Sequence, residues 1–199
     1  MYGTLGNPVS FDRRPPRRRR KIARFLVPAL GLAVVMGLSI AIPRVYSTAR
    51  SRNEAIPGRD RLLAAWDSKD HDGILVMTSK GLEHRPLDPF LLVMRGFAAF
   101  HRGLGEADGE IRLQFMDDAL FSLRKALAAT SVPFRSQAHY ILGKTYFQKG
   151  LFFMDEAARY LELALRDGFE APDILEYLAV AYSYLGEFEK SVEAFEKAL

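Results

Sequence analysis

From Pro57 to Leu199 apolar residues recur at intervals of three and four, the spacing that gives a helix one buried stripe. No sustained alternation of apolar and polar residues interrupts this pattern, and no Asn-Gly hairpin turn occurs, so no strands are expected. The chain before Pro57 follows a different rule. From Phe25 to Pro43 it reads FLVPALGLAVVMGLSIAIP, 19 residues without an ionisable side chain or a polar stripe. A helix needs about 20 such residues to cross a hydrocarbon core of about 30 Å. Pro28 falls in the first turn, where a missing N–H costs little. The segment is therefore expected to be a transmembrane signal-anchor helix. Cleavage is the alternative, because Ser47-Thr48-Ala49 supplies small residues, but the apolar run exceeds the usual h-region of about 7–15 residues. Ala29, Ala33, Gly37 and Ala41 stand four apart, a small-residue stripe that would let two such helices self-associate.

Charge divides the chain at the same places. The whole 199 residues carry 28 Lys+Arg against 24 Asp+Glu, a formal +4, with 49% hydrophobic residues. Residues 1–24 hold eight cations (Arg13, Arg14, Arg17, Arg18, Arg19, Arg20, Lys21, Arg24) and one anion, Asp12, which makes +7 and leaves −3 for the rest. Only Arg44, Arg50 and Arg52 follow the apolar segment closely. This asymmetry predicts a basic cytoplasmic arm at 1–24, an inner-membrane span at 25–43, a tether at 44–57, and a body at 58–199 on the extracytoplasmic or periplasmic side. An arginine run beside a span sets topology and touches anionic head groups. Without a folded reader module it does not imply nucleic-acid binding.

Within the body the chain is self-similar. His139-x2-Leu142-Gly143-x2-Tyr146 leads to Gly150, then Ala157-x3-Leu161 and Ala164-Leu165. Leu175-x2-Leu178-Ala179-x2-Tyr182 leads to Gly186, then Ser191-x3-Phe195 and Ala198-Leu199. Tyr146 and Tyr182 lie 36 residues apart, Ala164 and Ala198 34. The body resembles the tetratricopeptide repeat (TPR) family, whose signature has that order and a period of 34 residues. A looser copy runs through Leu92, Gly96, Gly103, Ala119, Leu123, Ala126 and Leu127 to Pro133, with an insertion expected at about 104–115. A further candidate spans Arg59 to Pro86, giving units at about 59–86, 89–133, 136–168 and 171–199.

The resemblance implies an all-α solenoid of about four helix hairpins whose concave side is lined by the first helix of each unit. The expected groove residues are Phe90, Val93, Phe97, Phe100 and His101 in the second unit, and Gln137, Tyr140, Lys144, Phe147 and Gln148 in the third. The fourth contributes Asp173, Glu176, Val180, Ser183 and Tyr184. Aromatics dominate that set and charges are few, which suits an apolar or extended peptide, or a helix laid in a groove. Family members that bind chaperone tails use an Asn/Lys/Arg clamp. Tyr140, Ile141, Glu176 and Tyr177 stand where parts of it belong, so that function is not carried over. The last unit has no polar-faced cap before Leu199, which leaves room for further repeats, a partner or a second copy.

No chemistry-bearing constellation forms. The chain has no Cys, which excludes disulfides, thiolate metal sites and Cys nucleophiles. His71, His84, His101 and His139 show no metal-ligand spacing. Gly103, Gly105 and Gly109 lack the Lys-Ser/Thr of a phosphate loop. Asp70-His71-Asp72-Gly73 lacks the first and last carboxylates of a calcium loop and reads as a helix cap. Glu106, Asp108 and Glu110 read as a solvated cluster. The expected protein is not an enzyme and needs no cofactor. It is a single-pass membrane-anchored scaffold or adaptor that takes protein or peptide ligands, helps assemble an envelope complex, and self-associates through the span or the uncapped repeat. The alternatives are the sensory or regulatory region of a longer membrane protein, a cytosol-facing receptor on an organelle surface, and an enzyme with a site in the 104–115 insertion.

Overall fold

A computed structural model describes residues 57–199. The basic arm, the apolar segment with Ala29, Ala33, Gly37 and Ala41, and the tether up to Ile56 lie outside the described residues. Every regular element described is helical: α1 (Arg59–Asp67), α2 (His71–His84), α3 (Pro89–Leu104), α4 (Gly109–Leu127), α5 (Arg135–Lys149), a 3-10 turn (Leu151–Phe153), α6 (Met154–Arg166), α7 (Ile174–Leu185) and α8 (Phe188–Ala198). Among the described residues no helix is long and apolar enough to cross a membrane.

The boundaries have local causes. Asp70 caps α2 by accepting from the Gly73 N–H at 2.9 Å, and Asp88 caps α3 by accepting from Phe90 and Leu91, with Pro89 pre-set at the first helical position. Asp108 does the same for α4 through the amides of Glu110 and Ile111. Gly186 closes α7 at φ +77, a left-handed position that a side chain disfavours. The 104–115 segment is mostly helix. Only residues between Leu104 and Gly109 are non-helical, and the surplus lengthens α4 to 19 residues. Glu106 pairs with Arg102 at 3.0 Å at the end of α3, and Asp108 caps α4.

Consecutive helices pack on one another, α3 on α4, α5 on α6 and α7 on α8 most extensively, while α3 also touches α5 and α5 touches α7. α3, α5 and α7 therefore stand side by side. Three apolar clusters follow one another along the stack, from Leu62, Ile74 and Leu91, through Leu123 and Leu142, to Leu161, Ile174 and Leu178. Tyr140 and Phe147 pack against both of the last two and join them.

Paired helices meet at a residue without a side chain. A Cβ on Gly96 would lie 2.4 Å from Cγ of Leu123, and one on Gly143 2.6 Å from Cγ of Leu161. Real carbons do not approach so closely, so the α3–α4 and α5–α6 spacings both require glycine. At the matching place in the last pair, Ser191 Oγ donates to the Ala179 carbonyl at 2.7 Å, a contact that also needs backbone-to-backbone proximity.

Gly96→Ala should therefore destabilise the protein. Overpacking costs about 1–3 kcal/mol and the better helix propensity of Ala returns about 1, leaving a net loss of up to about 2 kcal/mol in denaturant unfolding. Gly105→Ala, where the nearest atom to an added Cβ is 3.7 Å away, should change stability by less than about 0.5 kcal/mol.

Candidate functional site

Between α1, α3 and α5 lies an open hollow of about 370 Å³. Leu63 and Trp66 reach it from α1, and Met94, Phe97 and His101 from α3. Gln137, Tyr140 and Ile141 form the α5 wall, and Phe134 and Phe169 close it from the loops before α5 and α7. The lining is aromatic and aliphatic, with few polar atoms set into it, which is the composition of a site for an apolar side chain.

Its walls are held from behind. Trp66 packs edge-on against His101, with centroids 5.3 Å apart, and tilts onto Phe97 at 5.8 Å. The His101 ring stacks on that of His71 at 5.2 Å and 15°. Burial first, and then the nearby His71 and Lys144, push the His101 pKa below its ordinary value, so the imidazole wall is neutral at neutral pH.

On the opposite wall Tyr140 donates to Asp173 Oδ1 at 2.6 Å. Lys144 Nζ donates to Asp173 Oδ2 at 2.7 Å and to the Tyr140 hydroxyl at 2.9 Å. The same ammonium sits 4.6 Å from the ring centroid of Tyr177, and the Lys144 side chain is only 13% exposed. Burial alone would lower the Lys144 pKa, but its hydrogen bonds to Asp173 and Tyr140 outweigh that and raise it. Burial likewise works against the Asp173 carboxylate, and the bonds it accepts from Lys144 and Tyr140 hold its pKa down. Both groups are ionised at neutral pH and satisfied by each other, so Lys144 fastens α5 to the start of α7 and leaves the wall without net charge.

The hollow thus unites Phe97, His101, Gln137 and Tyr140 among the residues expected from sequence, with Lys144 behind them. Val93 and Phe100 lie inside the α3–α6 core rather than on a surface, and Phe90 is buried beside α1. Phe147 packs edge-on against Tyr177 at 4.8 Å, and Gln148 is half-buried near the end of α5. Val180 is half-buried on α7, whereas Glu176, Ser183 and Tyr184 are exposed there and do not line the hollow. Leu63, Trp66, Met94, Ile141, Phe134 and Phe169 belong to it without having been expected. Trp66 alone carried a signal, as the only tryptophan in the chain.

Phe134 is unusual. Its backbone is left-handed, φ +55 and ψ +38, which costs a non-glycine residue about 1–2 kcal/mol. The conformation turns its ring toward Phe90 and into the hollow, where the residue remains 42% exposed.

Among the described residues no group of three His, Cys, Asp or Glu side chains is arranged to hold a metal ion. No protein-family model matches the sequence, and no curated protein matches it either.

Asp173→Ala should destabilise the protein by about 1–3 kcal/mol, since it strips a largely buried ammonium of its anionic partner. Acid should also weaken the fold before its carboxylates titrate. Burial lowers the pKa of both His101 and His139 in the folded state, so the unfolded chain binds more protons below its own histidine value of about 6.5. Stability from this source is complete above about pH 6.5 and is lost as pH falls through the depressed folded values. Urea midpoints measured from neutral to mildly acid pH should fall, and His101→Asn should flatten the slope.

Proposed function

We propose that the chain is a membrane-anchored scaffold of the tetratricopeptide repeat type. It holds segments of other proteins in the hollow between α1, α3 and α5, and it takes part in assembling an extracytoplasmic envelope complex. The observation that carries this reading is the hollow itself. It is an open aromatic slot between neighbouring first helices of successive hairpins, with the Lys144 ammonium behind it already neutralised. The spacing of Gly96, Gly143 and Ala179 against their partner helices supports the repeat family. The uncharged 25–43 segment behind a +7 arm supports the anchor and its orientation, with the body outside the cytoplasm. Self-association belongs to the proposal, because α8 exposes Phe188, Val192 and Phe195 along one side.

Site-specific photocrosslinking in cells tests the binding role. A photoreactive residue at Gln137, in the hollow, should give discrete adducts with another protein, and one at exposed Arg124 on α4 should not. Equal labelling from both positions would contradict a dedicated groove. Protease added to intact cells and to spheroplasts tests the orientation: the body should be cut only in spheroplasts. Protection in both would favour the cytosol-facing alternative. Phe195→Glu should lower the sedimentation mass of the full chain if α8 mediates self-association, and an unchanged mass would remove that element.

A further inference from the structure

A second hollow, of about 490 Å³, adjoins the first across a pair of aromatic rings. Phe90 lines the second and Phe134 the first, and their centroids are 6.5 Å apart. The second differs in chemistry. Arg59, at the start of α1, places its guanidinium 4.5 Å from the Phe90 ring centroid, and Arg85 projects from the turn between α2 and α3. Among the described residues Arg59 makes no ion pair, and Arg85 approaches only Asp88, at 3.8 Å, beyond hydrogen-bonding range. Among the described residues Asp88 is the one carboxylate in the lining, and its Oδ1 is committed to the amides that begin α3. Among those residues the second hollow therefore carries two guanidinium groups against one carboxylate, of which one oxygen caps α3 and the other faces Arg85 from 3.8 Å.

The left-handed backbone of Phe134 sits at the junction. A strained residue persists where the surrounding structure imposes it, and such residues cluster at binding sites. Here the strain places one ring as wall of the apolar slot and as neighbour of the ring on which Arg59 rests.

We propose that the two hollows are one bipartite site for an acidic peptide segment. A large apolar side chain enters the slot between Trp66, Phe97, Phe134 and Tyr140, and a side-chain carboxylate a few residues away pairs with Arg59 and Arg85. Guanidinium forks match carboxylates in geometry as well as charge, and the Phe90 ring keeps that of Arg59 oriented. The inference rests on the groove reading given under the proposed function and adds the chemistry of the ligand.

Selection of short random peptides, displayed with blocked C-termini, on the full chain tests it. Enriched sequences should pair a large apolar residue with Asp or Glu within a few positions. Arg59→Gln/Arg85→Gln should weaken the selected peptides by about tenfold or more, and should remove the acidic preference while leaving the apolar one. Phe134→Gly, which frees the backbone, should retain the fold by circular dichroism and lose the apolar preference. Peptides enriched for an apolar residue with no acidic neighbour, or with a basic one, would overturn the bipartite site and leave the groove standing. No enrichment over a Trp66→Ala/Tyr140→Ala chain that still folds would overturn the groove reading, and this inference with it.

Discussion

How closely paired helices approach governs the rest of the described structure. Gly96 and Gly143 hold the first helix of a hairpin against a leucine of the second, with no room for a methyl group, and Ala179 meets Ser191 through its carbonyl. A hairpin closed this tightly buries only one side of each helix. The remaining apolar side must find the next hairpin, and the three clusters strung along the stack are the result.

The hollow follows from the same constraint. Tightly closed hairpins bring α3 beside α5, and α5 beside α7, at separations their side chains must fill. Between α5 and α7 the gap is filled by Phe147, Tyr177 and the Lys144–Asp173–Tyr140 network. Between α1, α3 and α5 it is only partly filled, and the remainder is the slot. The ion pair that fastens α7 also neutralises the Lys144 ammonium beside the slot, so rigidity on one side and apolarity on the other come from the same three residues.

Much of the helical order was legible because it depends on periodicity and small residues, which are local in sequence. Gly143, Ala157 and Leu161, which stand out in the repeat pattern, are the residues that meet where α5 packs on α6. The slot was less legible. Val93 and Phe100 look like surface positions because α3 carries only Arg95, His101 and Arg102 to orient it, and α2, α4 and α5 enclose it along most of its length. The extra residues after Leu104 read as an insertion of undefined form, and the Asp108 cap with the apolar residues after it makes most of them helix. Phe134 and Phe169 lie in connections, where no periodicity says which way a side chain turns. The left-handed φ of Phe134 has no signature in its residue type.

A double-mutant cycle between Gly143→Ala and Leu161→Ala measures the governing contact most directly. If the helices are held at glycine distance by that leucine, Gly143→Ala should be destabilising in the parent chain. With Leu161 shortened most of that cost should disappear, only the approach to the Ala157 carbonyl at 3.1 Å remaining, a coupling of about 1 kcal/mol or more. Costs that add to within about 0.5 kcal/mol would contradict the account, because two residues that do not share a contact behave in that way.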